Sequence, residues 1–135
     1  MGPFPHDAPP PQISAQNPMG TDGFEFVEFT HPDPKELDKL FRMMGFLPVA
    51  RHRSKNVTLY RQGGINFIVN AEKGSFASNF AEKHGPSAPA MAFRVVDAKR
   101  AFDRALSLGA KPATTQIGPM ELNIPAIQGD RKSVV

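Results

Sequence analysis

The sequence predicts an α+β fold built from two copies of one βαβββ module, with the second copy truncated before its last strand. Three observations predict it. Helical and period-two apolar patterns come in the order strand, helix, three strands, and then start again. Structurally demanding residues recur 64 positions apart: the helix caps Asp33 and Asp97, the C-terminal glycines Gly45 and Gly109, Phe29 and Phe93, and Pro48 and Pro112. The chain has 135 residues, 40% of them apolar, which suits one domain with a single core.

Residues 1–19 carry six of the 14 prolines and no apolar periodicity. They are expected to form a disordered, polyproline-like leader, with a proline-rich peptide ligand as the rival reading. The domain is expected over 20–129. Module one spans 23–70 and opens with a strand, since Phe24, Phe26 and Glu28 alternate with Glu25, Val27 and Phe29. Asp33, Pro34 and Glu36 form a capping-box start for a helix over 34–44, with Leu37, Leu40, Phe41 and Met44 at core spacing. Gly45 supplies its left-handed stop. Strands follow over 46–52, 57–62 and 65–70, the last two joined by a Gly63-Gly64 hairpin turn.

A linking helix is expected over 75–84, with Phe76, Phe80 and Ala81 inward. Module two spans 89–129. Its first strand covers 89–96, and its helix, capped by Asp97, turns Ala98, Ala101, Phe102, Ala105 and Leu106 inward. At an offset of 64, strand 57–62 maps onto 121–126. Strand 65–70 maps onto 129–134, Gly-Asp-Arg-Lys-Ser-Val, which has no strand alternation. The last strand is therefore expected to be missing, leaving an open edge. Residues 130–135 also match what the sequencing-adapter read GATCGGAAGAGCGTCGTG encodes. They are expected to be a non-native tail.

Composition excludes several classes of function. With no cysteine there is no disulfide framework, thiolate metal site or cysteine nucleophile. No apolar run reaches the length of a membrane-spanning helix, and the start lacks a secretory h-region. No membrane partner is expected, and a cytoplasmic location is. A net charge of +3 falls short of a nucleic-acid footprint. The basic run Arg51, His52, Arg53 and Lys55, followed by Arg61, has only Tyr60 near it for base stacking, so it reads as a solvated edge. Gly63-Gly64 lacks the Lys-Ser/Thr of a phosphate loop.

The candidate chemical groups do not converge. His6, His31, His52 and His84 share no metal-ligand spacing, and each reads as a turn or surface residue. Glu25 and Glu28 lie three apart on one strand and face opposite sides, so they are not a paired-carboxylate site. Glu28 is a candidate metal ligand; an exposed or ion-paired strand residue is the favoured reading. From these residues no catalytic, cofactor-binding or metal residue is assigned.

Four long segments carry a resemblance. They are NPMGTDGFEFVEF (17–29), MGFLPVARHRSKNVTLYRQGGINFIVN (44–70), FAEKHGPSAPAMAFRVVDA (80–98) and GPMELNIPAIQG (118–129). Over about 17–129 the chain resembles the N-terminal domain of the bacterial 4-hydroxyphenylpyruvate dioxygenase family, within the vicinal-oxygen-chelate group of paired βαβββ modules. The resemblance implies a non-haem Fe(II) enzyme that converts 4-hydroxyphenylpyruvate and O2 to homogentisate and CO2 in tyrosine and phenylalanine breakdown. It implies two His and one Glu on the iron, all in a C-terminal domain absent from this chain. No residue here matches a ligand, so the chain alone is expected to be inactive and to bind no cofactor. The intact enzyme is expected to be a homo-oligomer. Two rivals remain at this point: a fragment of 4-hydroxymandelate synthase, and a free-standing small-molecule binder of the same superfold.

Overall fold

A computed structural model describes residues 9–113, 124–129 and 133–134. The elements in chain order are β1 (Thr21–Thr30), α1 (Pro34–Met43), β2 (Leu47–Arg51), β3 (Val57–Gln62), β4 (Ile65–Asn70), α2 (Phe76–His84), β5 (Ser87–Val95), α3 (Ala98–Ser107), β6 (Ile127–Gln128) and β7 (Ser133–Val134). One mixed sheet runs β2-β3-β4-β1-β5-β7-β6. Its centre is the antiparallel pair β1–β5, the seam where the two modules meet.

Local chemistry starts and stops the helices as the residues require. The Asp33 carboxylate accepts from Lys35 N and the Asp97 carboxylate from Arg100 N, so each satisfies an orphan donor of its helix. Gly45 and Gly109 follow the two helices at φ of +94° and +104°, a region that L side chains avoid. The β3–β4 hairpin closes through Gly63-Gly64, with Gln62 opposite Ile65.

The main core belongs to module one. Leu37 and Phe41 of α1 pack with Phe46, Tyr60 and Val69, against partly buried Phe29 and Phe67. Phe41 lies at the centre, its ring 5.3 Å from Phe29, 5.2 Å from Phe67, 5.3 Å from Tyr60 and 6.1 Å from Phe46. Among the described residues of module two the buried side chains are Pro89 and the small Ala90, Ala92, Ala101, Ala105 and Ala126. The sequence placed Leu40 and Met44 inward, but both are 48% exposed. A single helix laid on one sheet face buries a narrow stripe, here Leu37 and Phe41, and leaves the flanking positions outside it. Phe24 is also exposed, stacked on Phe93 at 4.9 Å.

One polar tie binds α1 to the sheet. Tyr60 Oη donates to Asp38 Oδ1 at 2.5 Å, and Arg42 Nε donates to the same carboxylate at 2.9 Å. Burial, then the adjacent Asp38, pushes the Tyr60 hydroxyl up to about 12. The Tyr60 hydrogen bond and then Arg42 hold Asp38 below the usual carboxylate range. A depressed carboxyl stabilises the fold above its unfolded value, and that contribution is lost as pH falls through the folded value. The Asp38 side chain is 39% exposed, which limits the effect. Tyr60→Phe is expected to cost about 1–2 kcal/mol and to weaken the acid-side loss of stability, measured by urea denaturation between pH 3 and 7.

The second module corrects two expectations. Its register follows that of the first, but at two offsets. Val27 pairs with Phe67, and Met91, 64 residues after Val27, pairs with Val134, 67 after Phe67. Tyr60 pairs with Phe67, and Ile127 pairs with Val134, both 67 later. Pro48 pairs with Tyr60, and Pro112 with Ile127. Three extra residues therefore lie between Pro112 and Ile127. They move the third strand from the expected 121–126 to Ile127–Gln128; residues 121–123 lie outside the described residues.

The expected absence of a last strand is corrected as well. Ser133–Val134 pairs parallel with Ala90 and Met91 of β5 and antiparallel with β6. Side-chain alternation argued against a strand, but the outer edge of β5 presents unpaired backbone groups, and two residues can pair with them through backbone alone. Within the expected tail 130–135, residues 130–132 and 135 lie outside the described residues. The expected leader is revised too. Residues 1–8 lie outside the described residues, but the segment before β1 is tied down. Ser14 and Asn17 exchange backbone hydrogen bonds, Asn17 bonds Thr21, and Val96 N donates to Gly20 O at 2.9 Å.

Candidate functional site

The titratable group of interest in the sheet is Glu28, half-buried at the seam two residues before the fully buried Thr30. β1 places it between Ile68 of parallel β4 and Ala90 of antiparallel β5. Alternation turns it, with Phe26, to the face opposite Phe29 and the aromatic core. Its Oε1 accepts from Asn70 Nδ2 at 3.4 Å. Burial raises the carboxyl above the usual glutamate range, and the Asn70 hydrogen bond opposes this in part. The sequence favoured an exposed or ion-paired Glu28. The structure instead half-buries it with an amide for company, because β4 and β5 flank it on both sides.

A group whose folded value is raised binds its proton more tightly in the native state. Stability is then fully present below the unfolded value and declines as pH rises through the folded one. Glu28→Gln removes this decline. The variant is expected to melt at a higher temperature than the parent at pH 7.5 and at the same temperature at pH 4, read by circular dichroism.

The other candidates are distributed, not convergent. Glu25 Oε2 accepts from Arg94 Nε at 2.6 Å, and Arg94 Nη1 lies 3.9 Å from Asp22, so Glu25 staples β1 to β5 and is separate from Glu28. His31 Nδ1 accepts from Asp33 N at 2.8 Å in the turn before α1. His52 Nδ1 accepts from Ser54 N and Lys55 N in the β2–β3 turn. The His84 ring lies 4.4 Å from that of Phe80. His6 lies outside the described residues. Arg51 bonds Asn56 and Arg61 bonds Asn66, so these members of the basic run hold the sheet edge.

The duplication itself bears on Glu28. Its counterpart 64 residues on is Ala92, a buried methyl on β5. The carboxylate is thus present in one module and absent from the other. Among the described residues, no group of three or more His, Cys, Asp or Glu comes together to hold a metal. A divalent transition metal needs three or more such donors. The seam can hold a proton on Glu28 and can pack; a lone carboxylate with one amide neighbour supplies no further chemistry. Nothing local in the sequence marks this environment, since Asn70 lies 42 residues away in the chain.

Comparison with known proteins places these features. The chain is 58% identical over 114 residues to a 4-hydroxyphenylpyruvate dioxygenase of Pseudomonas sp. (strain P.J. 874), covering 84% of this chain and 32% of that protein. It therefore spans about a third of that relative's length. Among solved structures, a xylose isomerase-like TIM barrel/4-hydroxyphenylpyruvate dioxygenase fusion protein superposes with a TM-score of 0.76 at 38% identity, covering 94% of this chain and 20% of that one. The methylmalonyl-CoA epimerase of Mycobacterium tuberculosis shares the fold, with a TM-score of 0.66 at 18% identity over 84% of this chain and 85% of that one. Both superpositions agree with the paired βαβββ modules of the vicinal-oxygen-chelate fold. The sequence profile described as hydroxyphenylpyruvate dioxygenase, N-terminal, matches residues 15–135, and the chain belongs to that family.

Proposed function

We propose that this chain is the N-terminal domain of a cytoplasmic 4-hydroxyphenylpyruvate dioxygenase, a homo-oligomer that converts 4-hydroxyphenylpyruvate and O2 to homogentisate and CO2 in tyrosine and phenylalanine breakdown. The match of the family profile over nearly the whole chain carries this reading. In this reading the chain's part is architectural. Fe(II), the metal implied by the family, does not fit the described residues: Glu28 bonds one amide, and among the described residues no group of three or more His, Cys, Asp or Glu comes together. The iron ligands and the substrate pocket are assigned to the part of the enzyme beyond this chain, and no catalytic step is derived through the seam.

The presence of Ala92 where the first module has Glu28 supports the assignment, because a module that serves packing needs no carboxylate there. Anaerobic titration of the purified chain with Fe(II) tests it. No stoichiometric binding and no homogentisate are expected. Stoichiometric iron together with homogentisate formation would overturn the reading. For the enzyme carrying this domain, the product distinguishes the activities, homogentisate for the dioxygenase and 4-hydroxymandelate for the related synthase.

A further inference from the structure

We propose that a cleft between the segment before β1 and helix α3 binds a small, doubly charged oxyanion, a phosphate monoester or a dicarboxylate. The cleft holds about 400 Å³ and is lined by Ile13, Ser14, Pro18, Arg100, Arg104 and Ser107. That volume lies in the range of small-molecule sites. Both walls are fixed. The first is held by the Ser14–Asn17 and Gly20–Val96 hydrogen bonds, and the second is the face of a capped helix.

The donors match the ligand. Arg100 and Arg104 lie one turn apart, about 6 Å along the helix axis, so both guanidinium groups reach the same side. Among the described residues neither side chain has an ion pair or hydrogen bond. Their neighbours Lys99 and Asp103 are paired with each other at 2.8 Å. Two planar, permanently charged forks without a carboxylate suit an oxyanion that accepts in pairs. Ser14 Oγ already accepts from Asn17 N, and its own hydrogen remains to be donated. Ser107 Oγ donates to Arg104 O at 2.6 Å, so it contributes shape and no proton. Ile13 and Pro18 give an apolar floor that suits a short carbon skeleton.

The test is a titration of the 135-residue chain with inorganic phosphate and, separately, succinate, followed by backbone amide chemical shifts. Saturable shifts confined to residues 13–20 and 100–107 are expected. The Arg100→Gln/Arg104→Gln variant should raise Kd at least tenfold, and Arg53→Gln, on the distant β2–β3 turn, should leave it unchanged. Tighter phosphate binding assigns a phosphoryl ligand, and tighter succinate binding a dicarboxylate. Shifts that do not saturate with either ion, or that persist in the double variant, overturn the proposal.

Discussion

Replacing Phe41 with alanine is expected to lower the melting temperature by about 10–20 °C, corresponding to a loss of about 3–5 kcal/mol. Phe41, on α1, is 3% exposed and touches four other rings, from β1, β3, β4 and the turn after the helix. Removing it deletes edge-to-face contacts and leaves a void that Phe29, Phe67 and Tyr60 cannot fill without abandoning their own packing. The position 64 residues on is Ala105, also buried. The same helix position therefore carries a bulky aromatic hub in one module and a small side chain in the other. A Phe41→Leu variant should recover part of the loss, and calorimetry of the three proteins measures it. An unchanged melting temperature in Phe41→Ala would contradict the placement of the core.

Gly45→Ala is expected to cost about 2–3 kcal/mol. Gly45 has a φ of +94°, which costs an L residue about 1–2 kcal/mol. An added Cβ would also lie 2.5 Å from Gln62 Nε2. That amide donates to Met44 O at 3.2 Å and closes the end of α1 onto β3, so displacing it forfeits about 1 kcal/mol more. Gly63→Ala separates the two effects. Gly63 has a φ of +58° with nothing within 4 Å of a Cβ, so it should show the backbone strain alone. Urea midpoints of the two variants, compared at equal slope, measure the difference.

Where short-range chemistry decided the structure, the residues announced it. The alternation in 57–62 and 65–70, the turn Gly63-Gly64, and the caps Asp33 and Asp97 lie within a few residues of the elements they control, and those elements stand where expected. The 64-residue echo of caps and glycines announced the duplication. What stayed hidden depends on partners distant in the chain. The three residues inserted between Pro112 and Ile127 change no local pattern, and only the pairing of Ile127 with Val134 shows the offset of 67. With the offset at 67, the counterpart of strand 65–70 begins at 132 and not at 129, so the 64-residue alignment looked for the strand in residues that precede it.

The candidate site divides in the same way. That His31, His52, Arg51 and Arg61 serve turns and edges was legible, because their partners are near in sequence. The half-burial of Glu28 was not. Its surroundings come from β4 and β5, brought together by a parallel pairing and by the seam. The resemblance to the dioxygenase family was legible from contiguous segments, since it needs no knowledge of which residues touch.

The central proposal is that this domain supplies scaffold and that the chemistry belongs to the part of the relative's length that the chain does not span. The most direct measurement joins residues 15–129 to the remaining C-terminal part of the Pseudomonas sp. (strain P.J. 874) relative. Homogentisate and CO2 formation from 4-hydroxyphenylpyruvate are then compared between the joined protein and the 135-residue chain. The account predicts iron-dependent turnover by the joined protein, retained in Glu28→Gln, and no turnover by the chain alone. Turnover by the chain alone, or loss of turnover in the joined Glu28→Gln variant while it remains folded and iron-loaded, would contradict it.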